Sequence, residues 1–141
     1  MKIEIYMTTD RNSYRIRGRG RTVYSMECEL RDKTVKKIHT VTFEDHELNG
    51  ACLECLLDAL RRLKSGCHSV KIYSPSQYLV SQINAGNFYK WMHNGCVNYR
   101  GSPIRHSDLW RKVMDEITRT CWNNITAEYL SNSAAGDHIK G

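Results

Sequence analysis

The stretch VKIYSPSQYLVSQINAGNFYKWMHNGCVNYRGSPIRHSDLW, residues 70–110, decides how the chain is read. Val70-Lys71-Ile72-Tyr73 alternates apolar and polar side chains and runs into a turn-forming cluster, which predicts a short strand with one buried face. A helix follows without a linker. Ser74 is a suitable N-cap, Pro75 sits at the first helical position, where its missing N–H costs nothing, and Gln77 can reach back to the cap backbone. After Gly86 a second short helical run carries Phe88 and Trp91, and a Gly/Asn/Ser-rich loop from Asn94 to Ser102 leads through Pro103 to a further helix start at Ser107-Asp108-Leu109-Trp110.

Upstream the period is two. Met1-Lys2-Ile3-Glu4-Ile5 opens a first strand that reaches the polar Thr8-Thr9-Asp10. Tyr24, Met26, Cys28 and Leu30 share one face of a second strand, with Ser25, Glu27 and Glu29 on the other; Thr34 to Phe43 supplies a third. The Arg/Gly loop joins the first to the second and the short turn Arg31-Asp32-Lys33 the second to the third, so the three read as an antiparallel meander. From Asp45 to Lys64 the period becomes helical. At about 100° per residue Leu48, Cys52, Leu53, Leu56, Ala59, Leu60 and Leu63 gather on one face, and Asn49, Gly50, Glu54, Asp58 and Arg61 fall opposite. The strand at Val70 then lies parallel to the first, after a helical crossover. A helix from Ser107 to about Arg119 buries Leu109, Trp110, Val113, Met114 and Ile117, and Asn124 to Leu130 reads as a last short strand.

A chain of 141 residues with 40% hydrophobic and 26% charged content is one soluble globular domain, taken as residues 1–131 with a flexible C-terminal tail at 132–141. No segment suggests a membrane, and the N-terminus enters a strand without a signal-peptide apolar region, so the expected location is cytoplasmic and the six cysteines are expected as thiols. The formal charge of +6 allows a polyanionic partner. Arg15, Arg17, Arg19 and Arg21 alternate with Ile16, Gly18 and Gly20, a basic run that reads either as a solvated turn or as a phosphate-contacting loop.

Cys52-x-x-Cys55 has the spacing of a zinc or redox pair, but both lie in the apolar half of a helix and no second Cys/His pair follows, so they read as core thiols. Of the six histidines, none sits in a local signature that would make it the base of a cysteine nucleophile.

Three segments carry a family likeness: Ile72-Tyr73-Ser74-Pro75-Ser76-Gln77-Tyr78-Leu79; Asn49-Gly50-Ala51-Cys52-Leu53 through Ala59-Leu60-Arg61-Arg62-Leu63; and Trp91, Gly95, Gly101 and Pro103-Ile104-Arg105-His106-Ser107-Asp108-Leu109-Trp110. In this order they resemble the ribonuclease H-like family, whose members read roughly IYTDSQYV, N-R-A-E-L to A-L-K-R-L, and W…G…G-x-P-V-x-N-x-D-L-W. The similarity runs from Lys2 to about Leu130. It implies an α/β ribonuclease H-like fold: a five-stranded mixed sheet, strands one to three antiparallel, with helices on its faces. It also implies cleavage of the RNA strand of RNA–DNA hybrids by two divalent ions, which hard carboxylate oxygens hold about 3.5–4 Å apart.

The carboxylates are missing from the matching positions. The family's first-strand Asp falls at Thr8, its helix Glu at Cys52 and its fourth-strand Asp at Pro75; the last acid has Asp137 as its nearby candidate. Asp10 is the available substitute, because it lies two residues beyond Thr8 and projects to the same side if the strand continues. Glu47 and Glu54 project to the polar helix face, away from Cys52. The implied partner is nucleic acid, met through its backbone by Arg15, Arg17, Arg19, Arg21, Lys90, Arg100 and Arg105, beside the aromatic Phe88, Tyr89, Trp91 and Tyr99. Trp91 and Trp110 also suit the core. The favoured reading is a catalytically inactive domain that binds duplex or hybrid nucleic acid, with no cofactor. The alternatives are a weakened hybrid endonuclease rebuilt around Asp10, using Mg²⁺ or Mn²⁺ with an acid from Glu47 or Asp137, and a protein-interaction scaffold.

Overall fold

The N-terminal alternation becomes three long strands: β1 (Lys2–Thr9), β2 (Gly20–Leu30) and β3 (Lys33–Phe43). The computed structural model describes residues 1–11, 15–98 and 100–141. After helix α1 (Leu48–Arg61), strand β4 (Ser69–Ser74) pairs parallel to β1, and β5 (Ile125–Tyr129) pairs parallel to β4. One five-stranded sheet results, in the order β3-β2-β1-β4-β5. The antiparallel meander and the parallel fourth strand match the sequence reading.

Three helices separate β4 from β5: α2 (Gln77–Ala85), α3 (Asn87–Asn94) and α4 (Ser107–Thr120). Along β1, Ile3, Ile5 and Met7 are buried with the leucines of α1, and α4 packs on the outer side of α1. Cys52 and Cys55 are buried free thiols within this core, as their helix face predicts. Trp110 is fully buried; its indole Nε1 donates to Tyr78 Oη at 3.0 Å, and Trp91 meets it edge-on at 5.0 Å. Burying a polar-tipped aromatic without loss requires such a partner.

Two helix starts differ from expectation. α1 begins at Leu48 and not at Asp45, because Glu47 is its N-cap and accepts from Gly50 N. The cap of α2 is Ser76, two residues beyond Ser74. Ser74 stays extended because its carbonyl accepts from Leu130 N at 3.0 Å, completing the β4–β5 ladder, and because a residue before proline disfavours the helical region.

The C-terminal segment, expected as a flexible tail, forms α5 (Asn132–Lys140). Ser131 Oγ accepts from Ala134 N at 3.2 Å to start it, and Ala135 and Ile139, one helical turn apart, are buried. α5 covers the face of β1 opposite to α1. His138 stacks on Tyr6 with ring centres 3.6 Å apart, its Nε2 lies 2.6 Å from Glu27 Oε2, and Lys36 Nζ donates to the His138 carbonyl at 2.9 Å.

Candidate functional site

The carboxyl ends of β1 and β4 lie side by side and meet the first turns of α1 and α2 and the start of α5. Neutral side chains fill this crevice. Thr8 Oγ1 shares its proton between the Asn132 carbonyl at 3.1 Å and Asn132 Oδ1 at 3.2 Å, and the same Oδ1 accepts from Thr9 N at 2.9 Å. Asn132 Nδ2 donates to the Arg11 carbonyl at 3.1 Å, so this one amide joins α5 to the end of β1. On the other side Ser76 Oγ donates to Asn49 Oδ1 at 2.7 Å and accepts from Leu79 N at 3.1 Å, while Ser74 Oγ accepts from Ser76 N at 3.1 Å. Cys52 is fully buried beside them. Burial pushes its thiol up to about 12, against smaller opposing effects of the Ser74 side chain and the Ser76 backbone, so it stays protonated.

The acids lie elsewhere. β1 ends at Thr9, and both carboxylate oxygens of Asp10 accept from Arg21 N at 3.2 Å. Gly20 permits that approach, because a Cβ there would stand 2.5 Å from Asp10 Oδ1 and 2.8 Å from the Phe43 ring. Asp137 is exposed on α5, and it is Asn132 that reaches Thr8. Glu54 lies 3.2 Å from His46 Nε2.

Glu47 corrects the sequence reading most sharply. Placed on the polar helix face by projection, it is 0% exposed, because a residue ahead of the helix does not follow the helical projection. Its Oε1 accepts from Gly50 N at 2.7 Å, its Oε2 accepts from Arg105 Nη2 at 3.0 Å, and Arg17 Nη1 stands 3.9 Å away. His106 Nε2 is 2.9 Å from Oε1 but off the line of a hydrogen bond. Burial pushes the Glu47 carboxyl up; the Gly50 N–H, then His106, Arg105 and Arg17, outweigh it and hold the group below its ordinary value. His106 is lowered, first by burial. His106 also stands at the N-cap position of α4 with φ +59°, a left-handed conformation uncommon outside glycine though more accessible to histidine than to most residues, at the place where its ring meets Glu47.

No family model matches the chain. Among curated proteins it is 36% identical over 74 residues to the ribonuclease H of Symbiobacterium thermophilum, covering 52% of this chain and 50% of that protein. Against the ribonuclease H of Caldanaerobacter subterraneus subsp. tengcongensis it is 31% identical over 74 residues, 52% and 48% of the two chains. The chain thus spans about half the length of the curated relatives it matches. Among solved structures, LC9-RNase H1, a type 1 RNase H with the type 2 active-site motif, superposes with a TM-score of 0.72 at 15% identity over 97% of this chain and 69% of that one. The fold is ribonuclease H-like. RNase H1 from the halophilic archaeon Halobacterium salinarum gives a TM-score of 0.63 at 12% identity over 99% and 94%, and LC11-RNase H1, solved in complex with an RNA/DNA hybrid, 0.62 at 14% over 97% and 92%.

Thr8, Cys52 and Pro75, which the sequence resemblance sets at the family's acid positions, are a hydroxyl, a buried thiol and a proline. No group of three or more His, Cys, Asp or Glu side chains among the described residues is placed to hold a metal ion. A protonated thiol and a hydrogen-bonded hydroxyl are poor ligands for Mg²⁺, which keeps several waters in an octahedral array and is anchored by carboxylate oxygen, so the donor set does not fit the family's metal pair.

The cations divide into two sets. Arg17 and Arg105, from loops far apart in sequence, meet at Glu47 with 51% and 55% of their side chains exposed. Arg17 also pairs with Asp45 at 3.3 Å and Arg19 with Glu44 at 3.1 Å, so the basic run is partly neutralised by the β3–α1 connection. Arg15 and Arg100 are exposed and have partners within the chain; Arg21 and Lys90 are exposed. Of the aromatic group, Phe88 is buried, Tyr89 and Trp91 are half-buried, and Tyr99 lies outside the described residues. Sequence reasoning missed Asn132 and His106. Asn132 sits in no local signature, and His106 lies in the Pro103–Trp110 segment of the resemblance without being singled out there, since each acts through a partner remote in the chain.

Proposed function

We propose that this domain holds nucleic acid, as duplex or RNA–DNA hybrid, by its phosphate backbone and does not cleave it by the two-metal route of its family. The observation that carries this reading is the neutral, mutually hydrogen-bonded set Thr8–Asn132, Ser76–Asn49 and Cys52 at the ends of β1 and β4. Without at least two clustered carboxylates, nothing there concentrates positive charge, activates water or stabilises a leaving oxygen. Asp10, which accepts the Arg21 N–H, is a single carboxylate, and no group of three or more His, Cys, Asp or Glu side chains among the described residues is placed to hold a metal ion.

Support for binding comes from the cations that flank Glu47. Glu47 fixes Arg105, and Asp45 with Glu47 holds Arg17, while both side chains stay about half exposed and within reach of a phosphate. The net charge of +6 adds long-range attraction. The test is fluorescence anisotropy with an end-labelled hybrid over a range of salt concentrations. Binding should weaken linearly on logarithmic axes, and Arg17→Ala and Arg105→Ala should each reduce the slope by about 1, the signature of one lost phosphate contact. Binding that ignores salt, or no binding at low salt, would sink the reading.

A further inference from the structure

We infer that the domain pairs with a second copy of itself through the outer edge of β3, so that two five-stranded sheets join into one across a twofold axis at Ile38. β3 is a terminal strand of the sheet, and among the described residues only β2 pairs with it. An edge of this kind presents a row of unpaired N–H and C=O groups, and proteins usually blunt it by shortening the strand, inserting proline or introducing a bulge. None of these devices is present. β3 runs for 11 residues without proline, in unbroken register with β2 from Gly20↔Phe43 to Leu30↔Lys33.

The sequence of β3 is close to a palindrome. Thr34-Val35-Lys36-Lys37-Ile38-His39-Thr40-Val41-Thr42 is centred on Ile38, which is also the midpoint of the strand. An antiparallel copy related by a twofold axis at that residue sets Thr34 opposite Thr42, Val35 opposite Val41, Lys36 opposite Thr40, Lys37 opposite His39, and Ile38 opposite itself. Like β-branched pairs stabilise antiparallel ladders, and like charges directly opposite destabilise them. In this register no lysine opposes a lysine. Side-chain alternation allows only shifts of two in the sum of paired residue numbers, because a perpendicular twofold keeps equivalent faces together. Moving the axis to Lys37 sets that lysine against itself, and moving it to His39 shortens the overlap.

Two further observations agree. Ile38 is 53% exposed at the centre of the edge, on the face that α5 leaves open there, and in the pair it would be covered by its own copy. His39, which meets Lys37, lies with its ring 5.3 Å from Tyr24, and burial, then the nearby Arg62, disfavours its charged form, which eases its place opposite a lysine. The edge lysines, an ordinary defence against pairing with arbitrary strands, thus exclude most partners but not this one. A closed twofold pair uses both β3 edges and leaves only the short β5 at each end.

Sedimentation velocity of the full chain, up to its solubility limit and with no nucleic acid, tests this independently of the functional reading. The wild type should approach twice the 16.4 kDa mass of one chain. Ile38→Lys, an exposed substitution whose folding is checked by circular dichroism, should sediment as a monomer. Under mild oxidant Ile38→Cys should give a covalent dimer on a non-reducing gel, while Thr40→Cys, which faces Lys36 of the second copy, should not exceed the wild-type background from exposed Cys67. A wild type that stays monomeric, an Ile38→Lys variant that still dimerises, or equal cross-linking through positions 38 and 40 would each overturn the proposal.

Discussion

Glu47→Ala is expected to lower the unfolding free energy by about 3 kcal/mol at neutral pH, the range found when one partner of a buried ion pair is removed. A shift of that size moves the melting temperature by about 10 °C in a domain of this length. The loss has three parts. The α1 N-cap disappears, which alone costs about 1 kcal/mol. The Arg105 guanidinium loses its buried acceptor, and His106, whose Nε2 has no hydrogen-bond partner even in the intact fold, loses the carboxylate beside it. Glu47→Gln keeps an acceptor for Gly50 N and removes only the charge, so it should fall between alanine and wild type.

The pH dependence fixes the sign. Glu47 is held below its ordinary 4.5 in the fold, so its stabilisation is complete above that value and is lost as pH falls through the folded value. His106 is held below its ordinary 6.5, so the unfolded chain takes up its proton first and stability declines as pH drops below 6.5. Both act toward acid lability, and the gap between wild type and Glu47→Ala should close in acid. Urea titrations across pH measure this directly. A Glu47→Ala variant within 0.5 kcal/mol of wild type at pH 7, the ordinary scatter of surface substitutions, would mean that the cluster contributes nothing to the fold.

Cys52→Glu should cost more, about 4 kcal/mol, because it places a carboxyl where the thiol is fully buried. Its pKa would be raised by burial, so the variant is least harmed below the ordinary glutamate value. The penalty then grows by about 1.4 kcal/mol per pH unit until the folded value is passed. Adding Mg²⁺ or Mn²⁺ should not restore the melting temperature, since Thr8 and Pro75 bring no second carboxylate. Recovery on adding either ion would show that the crevice still assembles a metal site from hydroxyl and backbone oxygens, contrary to the reading of its chemistry.

Where the fold was legible in the sequence, periodicity carried it. The alternation of Ile3, Ile5 and Met7 and the apolar face of α1 gave the meander, the crossover and the buried thiols, because these depend on local pattern alone. Position 75 was legible as a non-ligand from its side chain. The failures all depend on partners distant in the chain. Glu47 is buried because Arg105, 58 residues away, closes over it. α5 shows only Ala134, Ala135 and Ile139 as apolar positions around a glycine, too few for a periodic signal, and it is held by Asn132 and by His138 stacked on Tyr6. The Ser76 cap displaced Ser74 because the β4–β5 ladder extends one residue further than the apolar run predicts.

The most direct test of the central claim is incubation of an end-labelled RNA–DNA hybrid with excess protein in Mg²⁺ and in Mn²⁺, beside Asp10→Ala. The account predicts that the RNA strand stays intact in both ions. Metal-dependent cleavage by the wild type that disappears in Asp10→Ala would contradict it, and would mean that Asp10 leaves the Arg21 amide to rebuild the site.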